Sequence, residues 1–332
     1  RVGKSYIVEA FAKTQYKSYI LIDFGNAPQD VLDIFANDSA DLDMFFAKLS
    51  SFFRTPLYMR ESLIIFDEVQ QYPRARQLIK YLVADGRYDY IETGSLIRLK
   101  KNVQDIIIPS EEDHMEMFPL DFEEFATANG IQPQTIEYLK KCYDNKETVT
   151  EAVHQSMLKL FQYYIIVGGM PAVVQKFVDT KDIGEVLKIQ KDILDLYRQD
   201  ISKYSDSNKE KIKSIFDLIP AQLNDRNRRF TLSDIKNSAR MLRYETSFNW
   251  LADAGVALPC YNITEPVLPL ELNLQNNLFK LFLCDTGLLC AASMGNIQFD
   301  ILSGDLSVNM GSILENIFAQ ELVSNGFLLR YF

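Results

Sequence analysis

Two short fragments about sixty residues apart limit what this chain can fold into: Gly3-Lys4-Ser5, and the run Leu63-Ile64-Ile65-Phe66-Asp67-Glu68. Four consecutive apolar residues ending in two acids read as a strand buried on both faces, with the acids at its carboxyl edge. Gly-Lys-Ser is the tail of a phosphate-binding loop, G-x-x-x-x-G-K-[ST], that runs into a helix. The loop's first glycine would fall three residues before Arg1, so the sequence reads as beginning inside the loop. Each fragment alone has an ordinary reading: Gly-Lys-Ser recurs by chance, and a strand ending in Asp-Glu is often a solvated edge. At this separation, and in this order, they describe a nucleoside triphosphate site with a carboxylate for magnesium.

The neighbouring segments repeat the pattern. Residues 4–13 carry Tyr6, Ile7, Ala10 and Phe11 on a helical stripe. Tyr19-Ile20-Leu21-Ile22 is a second buried strand, and apolar residues from Val31 to Phe53 recur at helical spacing. Residues 77–84 return as a helix, and Tyr88 to Glu92 form a strand running into Thr93-Gly94-Ser95. Strand alternating with helix predicts a parallel sheet flanked by helices, the α/β architecture of a P-loop NTPase, with ligands at the carboxyl edge of the strands. Lys4, Asp67, Glu68, Thr93 and Ser95 all reach that edge.

Each residue type suits a chemical task there. Backbone N–H groups of the loop, Gly3 among them, cradle phosphate oxygens, and Lys4 neutralises the β and γ phosphates. Ser5 gives its hydroxyl to Mg²⁺, with Asp67 supporting the ion through water. Glu68 stands where a carboxylate orients the attacking water, and Thr93 or Ser95 senses the γ-phosphate; Thr93-Gly94-Ser95 also reads as a plain turn.

Composition narrows the alternatives. The 332 residues, 47% apolar and 12% aromatic, call for more than one globular core. No apolar run reaches the roughly 18 residues of a membrane span and no leader is visible, so a cytoplasmic protein is expected. With only His114 and His154 present, a histidine-based zinc site or a Ser-His-Asp hydrolase is close to excluded. Cys142, Cys260, Cys284 and Cys290 have no ligand or disulfide spacing and read as reduced core thiols.

Beyond the first domain, residues 147–161 and 183–197 read as helices of a helical subdomain, separated by Gly168-Gly169-Met170-Pro171, a turn with Pro171 in the next helix's first turn. From 208 to 270 the order resembles a winged helix: a helix over 209–223, a short helix capped by Ser233, a helix over 244–254, then strands over 256–263 and 278–283. Residues 208–243 carry nine Lys/Arg and four Asp/Glu, a local +5 in a chain of net charge −10. That asymmetry fits DNA phosphates or an acidic protein surface; the alternative is a module packed on its own ATPase.

Asp67-Glu68-Val69-Gln70 with Pro73, Thr93-Gly94-Ser95 and Phe118-Pro119-Leu120-Asp121-Phe122-Glu123-Glu124-Phe125 resemble the AAA-type ATPases of bacteria and archaea that carry a C-terminal domain of unknown function, DUF4143. Val167-Gly168-Gly169-Met170-Pro171, Tyr197 to Ile201, Lys280 to Leu289 and Gly311 to Asn316 fit the same family. The resemblance implies ATP rather than GTP, and the absence of an N-K-x-D motif agrees. It implies an ATPase core over 1–126, a helical subdomain over 127–205, a winged helix over 206–310 and, from 311, the start of a restriction-endonuclease-like domain with Glu315 on its opening helix. Many members carry Gly-Arg before the Pro-Leu-x-Phe string. Here that stretch reads Pro109-Ser110-Glu111-Glu112, leaving Arg87, Arg98 and Arg198 as loose candidates for an arginine finger. Two readings follow: an ATPase coupled to conformational change in its C-terminal region, or a nucleotide-gated switch with negligible hydrolysis that awaits DNA, a protein partner or a second copy.

Overall fold

The computed structural model describes residues 2–94, 112–202, 208–225, 229–231, 243–293, 298, 301–302 and 310–332. The chain divides into two compact units, Gly3–Glu116 and a second that holds Met117–Phe332.

In the first unit, α1 (Lys4–Gln15) is followed by β1 (Ser18–Asp23), α2 (Gln29–Asn37), α3 (Leu42–Phe53), β2 (Ser62–Asp67), a 3₁₀ turn (Val69–Gln71), α4 (Pro73–Asp85) and β3 (Asp89–Glu92). The strands form a parallel sheet with β2 in the middle. Alternation along β2 explains its unbroken apolar run. Ile64 and Phe66 enter a core built with Val31, Phe35, Phe45 and Leu49, while Leu63 and Ile65 pack against Ala12 of α1. Both faces are covered, so every β2 residue is buried. Each fully buried side chain of this size contributes about 1.5–3 kcal/mol. Helix α4 begins four residues earlier than its periodicity predicts because Pro73 takes the first helical position, where its missing N–H costs nothing.

The second unit is mostly helical: α5 (Phe122–Ala128), α6 (Pro133–Asn145), α7 (Glu151–Val167), α8 (Pro171–Thr180), α9 (Ile183–Ser202), α10 (Lys209–Asn224) and α11 (Glu245–Asp253). β4 (Ala257–Ile263) and β5 (Leu274–Leu283) then pair antiparallel, followed by α12 (Thr286–Ala292), α13 (Met310–Ser324) and β6 (Arg330–Tyr331). Gly168 and Pro171 make the expected break: Gly168 has φ 72° and Pro171 opens α8.

Helices α10 and α11 and the β4–β5 pair follow the order expected of a winged helix, but Ser233 and the helix it would cap fall in 232–242, outside the described residues. β6 joins β4 in parallel, and Asn316 of α13 bonds the backbone of Leu283, so these elements pack inside the second unit. Glu315 accepts from Lys280 Nζ at 2.9 Å. All four cysteines are buried and free. Among the described residues no helix is long and apolar enough to cross a membrane.

Candidate functional site

The carboxyl ends of β2 and β3 and the start of α1 bring most of the predicted residues together. Gly3 sits at φ 82°, ψ 21°, a left-handed conformation that glycine adopts without a Cβ clash, and its carbonyl accepts from Ile7 N at 3.0 Å. That turn starts α1 at Lys4 and puts Ser5 one residue in. Ser5 Oγ donates to Asp67 Oδ1 at 2.9 Å, across 62 residues of sequence. Thr93 Oγ1 donates to the same oxygen.

Asp67 and Thr93 are buried, 8% and 5% exposed. Parallel pairing explains the arrangement: β2 carries Asp67 one residue past Phe66, whose partner on β3 is Glu92, so Thr93 falls beside Asp67. Thr93 N donates to Phe66 O at 2.8 Å, and Thr93 O accepts from Val69 N at 3.1 Å. On the other side Asp23 pairs with Asp67, and Phe24 N bonds Asp67 O at 2.9 Å. The aspartate is thus fixed by its backbone on both flanks, and its carboxylate is held by two hydroxyls.

Glu68 follows in the left-handed region, φ 51°, ψ 41°. A side-chain-bearing residue there costs about 1–2 kcal/mol, a cost that persists where the surroundings impose it and that clusters at functional sites. Its N–H points at Thr93 Oγ1 at 3.4 Å, so one hydroxyl accepts from Glu68 and donates to Asp67. Of the predicted residues, Gly3, Lys4, Ser5, Asp67, Glu68 and Thr93 lie on these converging elements. Ser95 and Arg98 lie outside the described residues.

The candidate arginines are engaged within their own units. Arg87 bonds Asp43 at 2.6 Å and Asp85 at 2.7 Å, and Arg198 bonds Asp195 and Asp217. Sequence reasoning missed Arg76, which α4 buries beside Glu112 (2.8 Å) and Glu92 (3.6 Å). Burial, and then the neighbouring Glu112, push the Glu92 carboxyl up to about 7, against the pull of Arg76. Its only sequence signal was an arginine at an apolar-stripe position of α4.

A hydroxyl and a carboxylate at 2.9 Å form a hard oxygen pair of the kind that suits Mg²⁺, which keeps several waters and phosphate oxygens rather than an all-protein cage. No group of three or more His, Cys, Asp or Glu side chains able to hold a metal occurs among the described residues.

Comparison with known proteins bears on the class of this unit. Residues 1–126 match the AAA domain family. The match supports an AAA-type P-loop ATPase, and with it nucleotide binding. Residues 158–298 match a different family from the one expected, a domain of unknown function designated DUF8612; the DUF4143 resemblance is not what this region matches. No curated protein matches the chain.

Proposed function

We propose that the AAA-like unit binds Mg·ATP and hydrolyses it, and that the bound and hydrolysed states are read out by the C-terminal region. The observation that carries this reading is the convergence of Ser5 Oγ and Thr93 Oγ1 on Asp67 Oδ1, directly beside Lys4 and Glu68. In this reading Gly3, Lys4 and the first N–H groups of α1 hold the phosphates, where the helix dipole adds to the lysine charge. Ser5 and Asp67 would hold Mg²⁺, which would supply charge neutralisation for the phosphates. Glu68 takes the proton of the attacking water and orients it in line. In this reading Thr93, bonded to Asp67 and to the Glu68 backbone, registers the γ-phosphate, and Ser95 shares that role.

The test is phosphate release by the full-length protein with Mg·ATP, alone and with duplex DNA. Glu68→Gln should bind ATP and lose at least ~10²-fold in turnover, the usual worth of a positioned general base. Lys4→Ala should weaken ATP binding. Equal turnover in wild type and Glu68→Gln would remove Glu68 from the mechanism.

One observation favours a second reading, a nucleotide-gated switch. Arg87 and Arg198 are already paired with acids, and an arginine finger contributes about 10³–10⁵ to turnover where one operates. ATP binding without turnover, until a protein partner, DNA or a second copy is added, would select it. Stimulation by DNA that falls steeply with salt would assign the basic stretch 208–243 to phosphate contact.

A further inference from the structure

The turn after β2 contains a polar side chain that the roles above do not use. Gln70 is 3% exposed, sealed in the 3₁₀ turn Val69–Gln71, and its amide Nε2 donates to Glu68 Oε2. The turn is tied down on both sides of Glu68. Glu68 N approaches Thr93 Oγ1 at 3.4 Å, Val69 N donates to Thr93 O at 3.1 Å, and Gln71 N donates to Glu68 O at 2.9 Å. The left-handed backbone of Glu68 is therefore imposed by bonds to β3 and within the turn, and the same turn buries Gln70 where its amide meets the carboxylate.

The chemistry of an amide suits this position. A carboxylate on a surface loop turns freely about its last bond, so only a fraction of its orientations are productive for a water held in line. A neutral N–H donor on one oxygen removes that freedom without cancelling the negative charge, as a lysine or arginine would do. Because the bond engages Oε2, the other oxygen remains to accept from a water.

We propose that Gln70 is the positioning residue for Glu68: its amide holds one carboxylate oxygen so that the other is presented to the attacking water. This rests on the assignment of Glu68 as the water-orienting group in ATP hydrolysis.

The experiment compares steady-state ATP hydrolysis by the full-length protein carrying Gln70→Met, Gln70→Glu or Gln70→Asn, with Glu68→Gln alongside. Met and Glu keep the length of the side chain and lose the amide donor; Asn keeps the donor and loses a methylene. We expect kcat to fall tenfold or more in Gln70→Met and Gln70→Glu, with KM for ATP within twofold of wild type. Gln70→Asn should retain more activity than either. A packing role reverses that order, since Asn alone leaves a cavity, and the reversed order would overturn the proposal. So would wild-type kcat in all three. Thermal melts identify any variant that does not fold, and if Gln70→Met is lost, the order of Gln70→Glu and Gln70→Asn decides. Failure of the underlying assignment reads differently: Glu68→Gln would then turn over like wild type, whereas an inactive Glu68→Gln beside unaffected Gln70 variants overturns this inference alone.

Discussion

Each unit is organised around a buried aspartate, and the two are held in opposite ways. Asp67, in the first, ends a strand and accepts from the hydroxyls of Ser5 and Thr93. Asp285, in the second, caps α12. It accepts from Gly169 N at 2.6 Å and Leu288 N at 2.9 Å, with no exposed surface at all. A hydroxyl can rotate and exchange its partner for an ion or a water; a backbone N–H in a packed turn cannot. The Asp285 pocket leaves no room for adjustment. A Cβ on Gly168 would collide with its carboxylate, and one on Gly169 would collide with the backbone of Leu120. The same cluster ties Leu120 N to Gly169 O at 2.7 Å and Tyr164 Oη to Leu120 O at 2.9 Å. We read the first aspartate as serving a ligand and the second as serving the fold.

Exchanging the two losses gives the largest test of that contrast. Asp67→Ala should lower ATP turnover on the order of 10³-fold, the scale of metal-assisted charge stabilisation. Its stability should change by about 1–2 kcal/mol, because Ser5 can turn to water and only the buried Thr93 hydroxyl, which still accepts from Glu68 N, loses its acceptor. Asp285→Ala should do the reverse. Stranded backbone donors in a closed site cost about 3–5 kcal/mol together, read as a shift of the urea midpoint of the second unit. An Asp285 variant as stable as wild type would break the comparison.

What the sequence made legible follows the same division. The β2 run and Gly-Lys-Ser were readable because burial on both sheet faces demands an apolar string and a phosphate loop demands a fixed triplet. Asp67 and Thr93 were expected together because both end strands of one parallel sheet, and Ser5 because the triplet opens the helix at the same edge. The bond between Gln70 and Glu68 had no such signature, since nothing local marks a glutamate for left-handed backbone. Asp285 lay in the string Phe282-Leu283-Cys284-Asp285-Thr286-Gly287-Leu288-Leu289, where apolar residues on both sides hide the helix start that it caps. α6 went unread although Ile136, Leu139 and Tyr143 follow Pro133 at helical spacing. β5 begins four residues before the apolar run 278–283 because Gln275, Asn276 and Asn277 are polar, and an edge strand tolerates them.

The pH dependence of stability sharpens the contrast at a smaller scale. Burial pushes the Asp285 carboxyl up to about 6, against the pull of the backbone N–H groups of Gly169, Leu288, Gly287 and Met170. The folded state therefore holds this proton more tightly than the unfolded chain does. Its stabilising contribution is complete below the ordinary aspartate range and is lost as pH rises from about 4 through 6. By linkage, two units correspond to about 3 kcal/mol at most. Asp285→Asn, which cannot ionise, should be less stable than wild type at pH 4 by the greatest margin, and the margin should shrink toward pH 7. Denaturant melts across that range measure it; a constant margin would show that the carboxylate is charged throughout.

The smallest effect lies in the first unit, on the β3 residue that precedes Thr93. Glu92 shares Arg76 with Glu112, and its carboxyl is raised to about 7 first by burial and then by Glu112. A raised carboxylate again stabilises at low pH, so its contribution is lost as pH rises from the ordinary glutamate range through 7. Glu112→Gln keeps an oxygen to accept from Arg76 and removes the like charge. The Glu92 window should then move down, and the loss of stability between pH 6 and 8 should shrink by about 1 kcal/mol. Urea midpoints of wild type and Glu112→Gln at pH 6 and pH 8 are the measurement. An equal or larger loss in the variant would mean that burial alone sets Glu92, and that the two acids do not sense each other across Arg76.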